Sequence, residues 1–293
     1  MINFRYHLVS IAAILLALAA GIALGSGPLD DAGSALDGDD SSTTASADPA
    51  VTSFESAYAA RTSLPLFKGA LKGQSVVVIT MPGASAAEAK GISTLLQQAD
   101  AEVTGQVELT SKLLSSSNRQ FAEGIAQQAA TDVPGVSAAG DSYGRIGAAL
   151  GRAIMANKTA AVDPTATTIQ SAFVEGDLIT LTSTPTKRAT LAVILTAPKA
   201  GNSGDQGSVV AAMAAALDAS GKGVVVAGPS SASTDGGIVK AVRDSDATSS
   251  VSTVDVTDLA AGRVVTVLAA AKEASGLSGS WGTSRSADGG LPD

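Results

Sequence analysis

Residues Leu8 to Gly25 form an apolar run broken only by Ser10, with no Asp, Glu, Lys or Arg inside it. With its flanks the run reaches about 20 residues, which at about 1.5 Å each matches the ~30 Å hydrocarbon thickness of a bilayer. Three structures suit such a segment: a cleaved signal peptide, a retained membrane helix and a buried core helix. A core helix fits poorly so near the N-terminus. The small-x-small triplets of a signal cleavage site, Ala17-Leu18-Ala19 and Gly21-Ile22-Ala23, fall within the run rather than after it. The reading adopted is a single transmembrane helix over residues 8–28, stopped by Pro28, with membrane lipid as its partner.

Flanking charge sets the orientation. Arg5 and the terminal amine precede the run, and no Lys or Arg follows until Arg61. Residues 1–7 are therefore expected as a cytoplasmic stub, with the C-terminal part extracytoplasmic. Ala13, Ala17, Gly21 and Gly25 recur every fourth residue and make one small-residue ridge. Such a ridge lets membrane helices pack closely, so these four residues are the candidate helix-packing site of a homo-oligomer; the alternative is a chance ridge in a chain rich in Ala and Gly.

Past the run the composition changes. Residues 29–69 are rich in Asp, Ser and Ala, including Asp30, Asp31, Asp37, Asp39, Asp40 and Asp48. Their first half has few large side chains and cannot bury enough surface to offset ordering entropy, so a flexible acidic linker is expected. Asp37-x-Asp39 lacks the later ligand positions of a calcium loop and reads as a solvated charge run.

From about residue 70 to 275 strand and helix patterns alternate. Ser75–Thr80 is a β-branched run ended by Pro82-Gly83, and Ser85-x-x-Glu88 is a capping box that opens a helix. Ala89, Ile92, Leu96 and Ala99 share one face of that helix. Strands are expected at Glu102–Leu109, Leu178–Leu181, Leu191–Thr196, Gly223–Ala227 and Val251–Val256. Helices are expected at Phe121–Ala130, Tyr143–Met155, Thr168–Val174, after a Ser208 cap, at Gly237–Arg243 and at Ala260–Ala274. Near-continuous apolar strands imply a sheet covered on both faces. The fold class is thus α/β: a single N-terminal transmembrane helix, a flexible acidic linker, then a three-layer α/β domain with a mainly parallel sheet. A split near residue 160 is the alternative domain plan. Residues 276–293 are a Gly/Ser-rich tail expected to pack as coil.

Composition excludes several chemistries. The net charge is −8, which argues against nucleic acid as a partner. There is no Cys and one His, His7, so thiolate metal sites, Cys nucleophiles and a Ser-His-Asp triad in the globular part are ruled out. Gly201-x-x-Gly204-x-x-Gly207 lacks the Lys-Ser/Thr of a phosphate loop and reads as a connecting loop with a helix cap. Gly228-Pro229-Ser230-Ser231 lies where an α/β protein holds a ligand, but it is no nucleophile elbow. No catalytic or cofactor-binding residue is assigned, and the expectation is a non-enzyme.

The opening Met1-Ile2-Asn3-Phe4-Arg5-Tyr6-His7-Leu8-Val9-Ser10, followed by Ala17-Leu18-Ala19-Ala20-Gly21-Ile22-Ala23-Leu24-Gly25-Ser26-Gly27-Pro28-Leu29, resembles the actinobacterial MctB family. Gly201–Gly207, Ser252-Thr253-Val254-Asp255, Ala261-Gly262-Arg263-Val264-Val265 and Gly279-Ser280-Trp281-Gly282-Thr283 also look like it. The resemblance implies copper transport or efflux at the cell envelope, as a channel or channel component, with copper as the transported ion. In mycobacteria it implies the outer membrane. The chain departs from the family pattern after the membrane helix, where an Asp/Ser-rich tether replaces the usual charged coiled coil.

Copper selects Cys and Met sulfur or His nitrogen. The chain offers Met1, Met81, Met155, Met213 and His7. Met213 lies on an apolar helix face, Met81 ends a strand, and His7 beside Tyr6 suits a membrane-boundary anchor. These residues compose no recognisable copper site. A single apolar helix also cannot enclose a pore, and the rest shows no β-barrel periodicity, so any pore is oligomeric. The alternative function is a non-enzymatic scaffold or binding module tethered outside the membrane. A hydrolase using the Ser-rich loop after Val226 is a third, weaker reading.

Overall fold

Every residue of the β-branched run Ser75–Thr80 is buried, as a strand covered on both faces must be. The computed structural model that shows this describes residues 49–199 and 205–292. The expected membrane helix over 8–28 and its ridge of Ala13, Ala17, Gly21 and Gly25 lie outside the described residues. Among the described residues no helix is long and apolar enough to cross a membrane.

The elements in chain order begin with α1 (Pro49–Phe67), β1 (Ser75–Thr80), α2 (Ala86–Gln98), β2 (Glu102–Leu109), α3 (Ser111–Leu114), α4 (Arg119–Ala129), α5 (Pro134–Ala138) and α6 (Ser142–Ile154). Next come β3 (Ala160–Ala161), α7 (Pro164–Glu175), β4 (Ile179–Ser183), β5 (Lys187–Arg188), β6 (Leu191–Leu195) and α8 (Gln206–Asp218). The chain finishes with β7 (Gly223–Ala227), α9 (Ile238–Arg243), β8 (Ser252–Val254), α10 (Ala260–Ala274) and β9 (Ser280–Trp281).

Seven strands form one sheet in the order β4-β2-β1-β6-β7-β8-β9. All neighbours pair in parallel except β4, which runs antiparallel to β2. The mainly parallel α/β sheet expected from the strand pattern is therefore present. It passes residue 160 without a break, because β1 pairs with β2 on one side and β6 on the other.

Strand alternation divides the interior into two cores. Val77, Ile79, Ala192, Ile194, Val224 and Val226 face one core with α4, α6, α7, α8 and α9. Val76, Val78, Leu191, Val193, Leu195, Val225 and Ala227 face the other with α2, α10 and the end of α1. That is the period-2 geometry of a pleated strand. Ser85 caps α2 by accepting the Glu88 N–H at 3.3 Å. Ala89, Ile92, Leu96 and Ala99 are all fully buried on its inner face.

Three local expectations are corrected. The linker expected through residue 69 is helix from Pro49, with Pro at the first turn and Phe67 and Leu71 locked in the core at its far end. Ser208 is not a cap: α8 starts at Gln206, and the Ser208 hydroxyl donates back to the Asp205 carbonyl at 2.8 Å. The tail expected as coil supplies β9, which pairs with β8.

The last crossover is unusual. β6–α8–β7 and β7–α9–β8 step across the sheet with their helices on one face, whereas β8–α10–β9 steps the same way with its helix on the other. Its hand is opposite to theirs, a connection that parallel sheets generally avoid. The pairing it achieves spans two residues, so side chains must hold the tail in place.

Candidate functional site

The side chains that hold the tail converge on one buried ion pair. Arg243 ends α9 and Asp255 follows β8, with Arg243 Nη1 2.7 Å from Asp255 Oδ2. The guanidinium also donates to Thr253 Oγ1 at 2.7 Å, Ser284 Oγ at 2.6 Å, Ser286 Oγ at 3.1 Å and the Trp281 carbonyl at 3.0 Å. Asp255 accepts the Thr283 N–H at 2.8 Å and the Ser284 hydroxyl at 2.5 Å. Burial pushes the Asp255 carboxyl up, but the bonds from Ser284, Thr283 and Arg243 together outweigh it and hold the group below the usual carboxylate range. Gly282 has φ +140°, and a Cβ there would overlap the Asp255 carboxylate. Glycine lets the tail backbone close over that group.

A second cluster stands at the carboxyl ends of the strands. The order β2-β1-β6-β7-β8 reverses between β1 and β6, the place where doubly wound sheets bind ligands. Thr196, just past β6, is buried, and its hydroxyl has no hydrogen-bond partner. A Cβ on Gly228 would overlap that hydroxyl, so the Gly228-Pro229 turn is packed directly over it. Ser230 donates to Asp258 Oδ2 at 2.9 Å, and the Thr257 hydroxyl to Glu88 Oε2 at 2.7 Å. The Glu88 carboxylate, expected to close a capping box, instead ties the α2 terminus to the β8–α10 loop. His7 lies outside the described residues, so no imidazole stands by Ser230 among them.

At the opposite end of the sheet Glu273 is buried and accepts the Ser252 N–H at 2.7 Å. Burial pushes its carboxyl up to about 7 against the pull of Ser252, and the charge of Asp218 adds to the rise. Asp218 is itself pushed up by burial, with Ser250 drawing it back.

Met81, Met155 and Met213 are all side chains of one core. His7 and Met1 lie outside the described residues, as do Gly201 to Gly204. Gly207 lies in the first turn of α8, where a Cβ would overlap Ala241 Cβ, so it serves close packing of α8 on α9. Among the described residues no group of three or more His, Asp or Glu side chains is gathered to hold a metal ion. Sequence reasoning missed the role of Arg243 because its partners lie up to 43 positions away. One signal was available: Ser252–Asp255 and Gly279–Thr283 were singled out separately, and they meet as β8 and β9.

This geometry defines a doubly wound α/β domain with its C-terminal segment clamped onto the edge of the sheet. The chain belongs to the MctB family: the family model for copper transport outer membrane protein, MctB, matches residues 1–292. Proteins named Copper transporter MctB from Mycobacterium bovis and Mycobacterium tuberculosis are 29% identical to it over 298 residues, covering 92% of this chain and 92% of theirs. The resemblance read from the N-terminal block is borne out. Two of its later segments, Ser252–Asp255 and Gly279–Thr283, build the ion-pair corner, and Ala261–Val265 opens α10 beside it.

Proposed function

We propose that this chain is a membrane-anchored envelope protein of copper transport or efflux. The observation that carries the reading is the family match over nearly the whole chain, N-terminal block included. In this reading residues 8–28 anchor the chain in the membrane, with residues 1–7 cytoplasmic and the α/β domain extracytoplasmic. The run is long enough, carries no internal charge and has Arg5 on its short side. A conducting form is an oligomer, packed through Ala13, Ala17, Gly21 and Gly25, because one helix cannot enclose water. The α/β domain works without catalysis, as a rigid body beside the membrane.

Deleting the gene and measuring intracellular copper under copper stress tests the function. A rise in retained copper is expected, and unchanged copper overturns the reading. Intact mass of the membrane-extracted protein tests the anchor: the full chain is expected, and a mature chain starting near Leu24–Gly27 overturns it.

A second reading, a non-enzymatic scaffold that recruits an envelope partner, draws support from the placement of Met81, Met155 and Met213 in the core, where their sulfur serves packing. Crosslinking in intact cells separates the two: a reproducible partner favours the scaffold, and recovery as an uncomplexed monomer counts against it.

A further inference from the structure

A groove of about 710 Å³ runs between α5, α6 and α8. It falls within the ~300–1,000 Å³ of small-molecule sites. Its length follows α6, from Asp141 at one end to Arg152 at the other, about 16 Å at 1.5 Å per residue. The floor is apolar and made of small side chains, chiefly Ala148 of α6 and Ala212, Ala215 and Ala216 of α8. Arg152 and Arg188 line one end.

That end carries more positive than negative charge. Arg152 and Arg188 share a single carboxylate, Asp163. Asp163 Oδ1 accepts Arg152 Nη2 at 2.9 Å and the Ala166 N–H at 2.9 Å; Oδ2 accepts Arg152 Nη2 at 2.9 Å and lies 3.2 Å from Arg188 Nη2 as an ion pair. One carboxylate thus serves both guanidinium groups, through three hydrogen bonds and one further ion-pair contact. Arg152 Nη1 has no acceptor and is buried, so it adds to the positive charge of this end without itself facing the groove. The two guanidinium side chains retain 25% and 18% exposure. Two positive charges against one negative leave one unit of positive charge beside an apolar trough.

We propose that this groove binds a long-chain fatty acid, its carboxylate held by Arg152 and Arg188 and its alkyl chain laid along the alanine floor. A carboxylate carries one negative charge, which balances the head end. It also supplies the planar acceptor pair that a guanidinium fork engages. A phosphate monoester, at about −1.5 to −2, overcharges the same site. Nothing in copper transport calls for this site, and it stands or falls separately from the function proposed above.

The test uses the full chain in lipid nanodiscs and a fluorescent dodecanoate probe. Saturable binding is expected, displaced by dodecanoate and not by dodecanol. Arg152→Met is expected to weaken binding tenfold or more, and Ala148→Leu, which fills the floor and leaves the arginines in place, to weaken it as strongly. The thermal midpoint of each variant reports folding. Equal displacement by dodecanol, or unchanged affinity in a folded Ala148→Leu variant, overturns the proposal.

Discussion

Arg243 Nη1 sits 2.7 Å from Asp255 Oδ2, with the two side chains 3% and 0% exposed. The pair joins the last residue of α9 to the first residue after β8, and every other hydrogen bond of the guanidinium goes to Thr253 or to the tail at Trp281, Ser284 and Ser286. Pairing in β9 covers two residues, so this node carries the attachment of the tail.

Asp255→Ala leaves a buried guanidinium without its counter-charge and is expected to cost about 3–5 kcal/mol in urea denaturation. Amide exchange at Thr283 and Ser284, whose N–H groups point at Asp255, is expected to rise before the rest of the sheet opens. The double replacement Arg243→Met/Asp255→Leu is expected to lose less than Asp255→Ala alone, because no charge is stranded. A double variant as weak as the sum of the singles would contradict this account.

Glu273 makes stability fall as pH rises. Its carboxyl is pushed from 4.5 to about 7 in the folded protein, so the folded state holds a proton that the unfolded state has released. Stability is fullest below about 4.5, falls between 4.5 and about 7, and levels off above. The loss is on the order of 3 kcal/mol for a group this deeply buried. Glu273→Gln keeps an acceptor for the Ser252 N–H and removes the titration. Denaturation at pH 5 and pH 8 is expected to show the drop in the parent chain and a smaller one in the variant; equal drops would sink the assignment.

Gly262 and Gly124 are both helical glycines with opposite expectations. Helix propensity alone favours alanine at each by about 1 kcal/mol. A Cβ on Gly262, in α10, would overlap the Val256 carbonyl oxygen, so Gly262→Ala is expected to destabilise by about 1–3 kcal/mol as the backbone shifts. Nothing lies within 4 Å of a Cβ on Gly124, in α4, so Gly124→Ala is expected to stabilise by about 0.5–1 kcal/mol. Thermal midpoints that move in the same direction would contradict the packing argument.

Much of the local structure was legible from side-chain period. The β-branched run of β1, the buried face of α2 and the span of α10 follow from residue order, since each depends on neighbours within a few positions. The candidate site was legible only in fragments. Ser85 caps α2 as its position requires, yet the Glu88 carboxylate is spent on Thr257, 169 positions away. The Gly/Ser-rich tail has no β-branched run to announce a strand; its one β-branched residue, Thr283, follows β9.

The sequence by itself determined the alternation of strands and helices, the double-sided burial of the sheet and the absence of thiol chemistry, because these follow from composition and short-range pattern. Only the tertiary structure decided that α1 is helical where a linker was expected and that the tail becomes an edge strand. The same holds for the clamp on Asp255 and for the two arginines that share Asp163. Each of these depends on which distant segments a seven-stranded order brings together, and a buried charge or an unpaired donor acquires its energy from that environment alone.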